Sequence, residues 1–133
     1  MEVLKGFHQG TSLLALDRGG RILREYLENR QGNPKGAGDA FIIWACRFQG
    51  DPTRCRLVDI EPDHDRVWIE FPDDPDLTGF DLSDRKFVAV AIKLGSGPLI
   101  YNATDSVWHK FFTPLARYVN VIELCPDQLK ESP

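Results

Sequence analysis

The chain is poor in the residues that would anchor a secreted or metal-clustered fold. It has three cysteines, Cys46, Cys55 and Cys125, far apart and with no C-x-x-C pair. An odd, scattered set excludes a disulfide scaffold and a cysteine-built zinc site, and points to a reducing, cytoplasmic setting. Its three histidines, His8, His64 and His109, have no ligand spacing. No apolar run approaches the ~20 residues needed to cross a bilayer, so no membrane association is expected. Residues 1–10 lack the charged start and long apolar stretch of a signal peptide. Gly19-Gly20 has no Lys-Ser/Thr after it, which excludes a P-loop. No Ser/His/Asp or Cys/His arrangement is legible.

Positive charge is also in deficit. Twenty acids against sixteen bases leave a net charge of −4 over 133 residues, the wrong sign for a protein that grips nucleic acid nonspecifically. The acids are uneven: residues 59–84 hold ten Asp or Glu and a single base, Arg66. Most charged side chains stay solvated, but a block this dense also suits a basic partner or a hard cation. Asp63-His64-Asp65 within it reads as a polar loop. With 42% hydrophobic residues the chain can build a core, and its length fits one domain with a core over about residues 11–126.

Residues 11–17 (TSLLALD) form a short apolar run before Gly19-Gly20 and read as a buried strand ending near Leu16. Residues 20–30 carry Ile22, Leu23, Tyr26 and Leu27 at helical spacing and stop at Gly32-Asn33-Pro34. A second helix is expected over 39–48, with Phe41, Trp44, Ala45 and Phe48 as its stripe. Residues 56–60 (RLVDI) are the next strand. Residues 61–79 hold three prolines and little periodicity, so they read as a long acidic loop to about residue 80, with only 66–71 able to form a turn of helix or an edge strand. From Asp81 regularity returns: Asp84, Phe87, Val88, Ala91, Ile92 and Gly95 follow the rule of a core-facing helix, with Asp81 or Ser83 at its start. Residues 98–102 (PLIYN) are a strand and 106–112 a helix. Thr113-Pro114 opens a further helical piece, 119–124 (VNVIEL) is the last strand, and 127–133 is a tail. Trp44, Trp68 and Trp108 read as packing residues.

Strands separated by helices predict parallel pairing with right-handed crossovers, a three-layer α/β sandwich around a small sheet. Ligands of such sheets lie beyond the carboxyl ends of the strands. Asp17 follows the first strand and Asp105 the third. Asp84, in the first turn of the returning helix and on its apolar stripe, is expected to face inward over the strand ends. Converging carboxylates repel one another and need a cation, Mg²⁺ or Mn²⁺ by their preference for oxygen. Such a metal can activate water for phosphodiester hydrolysis.

Asp84-Arg-Lys-Phe-Val-Ala-Val-Ala91, the following strand and Asn102-Ala-Thr-Asp105 resemble the C-terminal half of a PIN domain. Gly20-Arg-Ile-Leu-Arg-Glu25-Tyr26 is similar to the PIN helix that carries the second acid. The run from Glu70 to Asp84 looks like a signature of uncharacterised bacterial PIN-like proteins. The likeness covers about residues 11–126. It implies a Mg²⁺- or Mn²⁺-dependent endoribonuclease acting on single-stranded RNA, of the kind found as toxins paired with antitoxin proteins. The metal site it implies is Glu25, Asp84 and Asp105, with Asp17 and Asp81 nearby. On the helical wheel Glu25 lies off the buried stripe, beside Arg24 and four residues after Arg21, which equally suits a surface ion pair. Arg18 and Arg21 are weak candidates for substrate phosphate.

The sequence departs from the family at one point: no strand ending in the first metal-binding Asp precedes residue 11. The fold is therefore expected to be N-terminally incomplete, and a catalytically inactive PIN-like binding module acting through a protein partner is the alternative. A missing central strand would leave backbone groups unpaired at roughly 1–3 kcal/mol each, and open edges recruit strands. The chain is expected to form a dimer or larger assembly, with apolar surface around Leu13, Leu14 and Ile100 covered. Light scattering at micromolar concentration should show a species heavier than one chain; a stable monomer would contradict this.

Overall fold

The computed structural model describes residues 13–30, 32, 36–95, 99–102 and 106–123. By its internal contacts the chain divides between Asp59 and Ile60 into two compact units. Both are mixed α/β.

In the first unit, β1 (Leu14–Asp17) leads into α1 (Arg21–Glu28), α2 (Ala37–Phe48) and β2 (Cys55–Val58). The strands pair in parallel, Leu14 opposite Cys55 and Asp17 opposite Val58, and the two helices between them supply the crossover that parallel strands need. Leu14, Leu16 and Asp17 are all buried. Neighbouring residues point to opposite faces of a strand, so β1 is covered on both. Gly20, with φ +79°, turns the chain from β1 into α1 in a conformation that side chains rarely adopt. Ile22 and Leu23 are the buried residues of α1, and Tyr26 meets Phe41 of α2 edge to face at 5.7 Å. Trp44 and Ala45 complete this small core.

The second unit opens with a hairpin, β3 (Pro62–Asp63) and β4 (Val67–Trp68), followed by 3₁₀ turns at Pro75–Leu77 and Leu82–Asp84. Then come α3 (Arg85–Leu94), β5 (Leu99–Asn102), α4 (Ser106–Lys110), α5 (Phe112–Leu115) and β6 (Asn120–Glu123). β5 and β6 pair in parallel, Leu99 opposite Asn120. Helix α3 lies against β4 and β5, and α5 against β6. Phe80 is the aromatic centre. It stacks on Phe71 at 5.9 Å and takes Trp108 at 4.9 Å and Phe111 at 5.5 Å edge to face. All three tryptophans are buried, as packing residues should be.

Three features differ from the sequence pattern. Residues 61–79 are more ordered than a loop: the edge strand allowed within 66–71 forms as β4 and pairs with β3, and Trp68, Phe71 and Leu77 are buried. Two-residue strands are too short to show a period. The buried face of α3 is Arg85, Val88, Ala89, Val90 and Ala91, turned by about one residue from the expected stripe. Phe87 and Ile92 are only half-buried. The expected helix over 106–112 breaks at Phe111, and α5 begins at Phe112 rather than at Pro114.

Residues 61–79 are organised by their own carboxylates. Asp63 Oδ2 accepts from the amides of Asp65 (3.0 Å) and Arg66 (2.7 Å) and closes the hairpin turn. Asp74 accepts from the Asp76 amide (2.9 Å), from Tyr118 Oη (2.9 Å) and from Arg117 Nη1 (2.9 Å). That ties the Pro75–Leu77 turn to the chain just before β6. These backbone amides first, then Tyr118 and Arg117 for Asp74 and the Arg66 charge for Asp63, hold both carboxyls below the ordinary Asp value of 3.8. Thr53, through its hydroxyl and amide, lowers Asp51 likewise. Groups with lowered folded-state values contribute stability above their unfolded-state values and lose it as pH falls through the folded ones. The urea midpoint should therefore hold level from neutrality to about pH 5 and drop below it. Asp74→Asn should shrink that drop; an unchanged acid profile would show that the Asp74 contacts contribute nothing.

Candidate functional site

The candidate acids divide between the units. Asp17 and Glu25 belong to the first, Asp81 and Asp84 to the second, and Asp105 lies outside the described residues. Among the described residues no group of three or more His, Cys, Asp or Glu is disposed to hold a metal ion.

Asp17 ends β1, and its side chain is 1% exposed. Oδ2 accepts from the Arg21 amide at 3.0 Å and Oδ1 from the Ile22 amide at 2.9 Å. Its backbone carbonyl accepts from the Gly20 amide at 3.1 Å. The Arg21 guanidinium stands 3.5 Å away. The carboxylate thus meets the first-turn amides of α1, where the helix dipole favours negative charge. A Cβ at Gly19 would meet this Arg21 guanidinium, which would have to shift. A buried charge is tolerated under these terms: hydrogen-bonded, paired and at the positive end of a helix.

Glu25 is half-buried on α1. Burial of the neighbouring Tyr26, with the Glu25 charge next to it, pushes that hydroxyl up to about 12. Asp84 closes the Leu82–Asp84 turn and takes the N-cap position of α3, half-buried, with backbone φ −94° and ψ −7° and no side-chain capping bond. Its expected place on the buried stripe belongs to Arg85. Asp81 caps the turn before it, accepting from the Ser83 amide and hydroxyl, both at 3.0 Å.

The arginines proposed for phosphate fold onto the unit's own groups. Arg18 Nε pairs with Asp59 at 3.2 Å and its Nη2 donates to the Leu57 carbonyl at 3.3 Å, while Arg21 faces Asp17. His64 is fully exposed beside Asp65, a polar hairpin tip as its surroundings in the sequence suggest.

Sequence reasoning missed Arg85, which is 4% exposed. Nε and Nη2 donate to the Phe80 carbonyl at 3.2 and 3.1 Å, and Nη2 also to Thr78 at 2.9 Å and Leu77 at 3.4 Å. Nη1 donates to the Arg66 carbonyl at 3.3 Å, and the guanidinium carbon lies 4.4 Å over the Phe71 ring. Burial lowers its pKa below the ordinary arginine value. The signal was present: 85, 88, 89 and 92 fit a helical face as well as 84, 87, 88 and 91 do. An arginine simply does not announce itself as core.

A depression of about 240 Å³ lies at the other end of α3, lined by Ala91, Gly95, Arg117 and Tyr118 among others. It is on the order of 15 Å from Asp84 along the helix and smaller than the roughly 300–1,000 Å³ of ligand sites. Arg117 on its wall is engaged by Asp74 and Asp76. The depression carries no chemistry of its own.

Asp17→Ala should destabilise the chain by about 1–3 kcal/mol, because two first-turn amides and Arg21 lose their acceptor. Urea unfolding measures it; a neutral substitution would show that the cap is not structural.

Comparison with protein-family models, with curated proteins and with solved structures found no match.

Proposed function

We propose that the chain is a PIN-like domain, a three-layer sandwich built around a small parallel sheet, and that it descends from a Mg²⁺- or Mn²⁺-dependent endoribonuclease. One observation carries the reading. Asp84 heads the apolar helix α3, which leads into β5, a strand parallel to β6; Glu25 sits on the helix that follows β1, a strand parallel to β2. This is the order of acids on parallel strand–helix units that the resemblance implies.

In this proposal Glu25, Asp84 and Asp105 are the metal ligands, as the resemblance implies, and Asp81 is a further candidate. The metal would supply a bound water of lowered pKa and stabilise the leaving oxygen of a phosphodiester. A bound cation would also reconcile an acidic protein with RNA. Single-stranded RNA is the proposed substrate, an antitoxin-like protein the proposed partner, self-association the proposed assembly, and the cytoplasm the proposed setting. No described helix is long and apolar enough to cross a membrane.

The second reading, an inactive PIN-like module acting through a protein partner, is favoured by Asp17. The acid at the end of β1 has both oxygens on the α1 amides and serves the fold. The two readings part on turnover. Calorimetry should show weak Mn²⁺ binding, weakened further in Asp84→Asn and in Glu25→Gln by loss of a charged oxygen ligand. Equal affinity in all three proteins would remove the proposed site. Cleavage of single-stranded RNA that needs Mg²⁺ or Mn²⁺ and disappears in Asp84→Asn would establish the enzyme; metal binding without cleavage would leave the binding module.

A further inference from the structure

Val67 has φ +75°, the only positive value for a non-glycine residue among the described ones. A β-branched side chain avoids that region, so the surroundings must impose it. Upstream, the Arg66 amide is fixed on Asp63 Oδ2 at 2.7 Å and the Arg66 carbonyl on Arg85 Nη1 at 3.3 Å. Downstream, the Trp68 ring is buried and the Ile69 amide donates to the Glu61 carbonyl at 2.8 Å. Val67 is left to absorb the mismatch between two fixed ends.

We propose that Arg85 and Val67 form a loaded latch: the buried guanidinium, by holding the Arg66 carbonyl, keeps the hairpin Pro62–Trp68 in a backbone conformation that Val67 would otherwise leave. The remaining bonds of Arg85 hold the carbonyls of Leu77, Thr78 and Phe80, the stretch directly ahead of Asp81 and Asp84. Opening the hairpin and loosening the acidic turn therefore draw on one group. Arg85 acts as a positioning residue for that turn, whatever the turn binds, and the latch does not depend on the nuclease reading.

Amide hydrogen exchange followed by mass spectrometry on the full chain tests the latch, with peptides covering residues 61–71 and 77–84. Val67→Asn accepts the left-handed conformation more readily and should slow hairpin opening about fivefold while Arg85 is intact. Arg85→Lys loses the planar fork and should speed exchange in both peptides about tenfold in the parent. Combined with Val67→Asn, the same change should speed the hairpin by less than about threefold, because less strain is left to release. Equal acceleration by Arg85→Lys with and without Val67→Asn would overturn the coupling. Faster opening in Val67→Asn alone would overturn it too, and that comparison stands even if Arg85→Lys does not fold.

Discussion

Arg85 brings a guanidinium into the interior of the second unit, where among the described residues no carboxylate pairs with it. Its charge is balanced by carbonyl dipoles from residues 66, 77, 78 and 80 and by the face of Phe71. A buried charge is costly unless hydrogen-bonded, so those carbonyls must come to it, and they do so from a stretch with almost no regular secondary structure. Irregular backbone inside a domain has the opposite need, since its carbonyls want donors. One side chain with five donors in a fixed fork answers both. At the start of α3, the fork lies over Phe71, which stacks on Phe80, and holds the carbonyl of the buried Leu77.

The acids of residues 59–84 look different once their partners are visible. Asp63, Asp74 and Asp81 each accept a backbone amide two residues on, and Asp63 a second one three residues on. They act as turn formers, as short acidic side chains do where the backbone lacks partners. Asp65 and His64 remain at the exposed hairpin tip. Part of what appears in the sequence as a charge block is the internal scaffolding of a segment whose one ladder is the short β3–β4 pair.

Asp17 and Asp84 show opposite uses of a carboxylate beside a helix start. Asp17, outside α1, reaches two amides with both oxygens and is almost fully buried. Asp84, at the N-cap of α3, has a helical backbone and makes no capping bond. The first serves the start of α1; the second stands half-buried at the head of α3.

Sequence alone was enough for the strand and helix order outside residues 61–84, for the parallel pairing of β1 with β2 and of β5 with β6, and for most helix spans, because apolar spacing and Gly or Pro stops are local signals. It showed Asp17 at a strand end, Asp84 at a helix start, and the tryptophans as core. Tertiary structure alone decided that Arg85 is buried while Asp84 is half-buried, that Pro62–Asp63 pairs with Val67–Trp68, and that Val67 is left-handed. Each of these depends on hydrogen bonds to groups distant in the chain or on buried rings. Residue type and spacing do not encode such partners: a fork of five donors looks, in sequence, like any surface arginine.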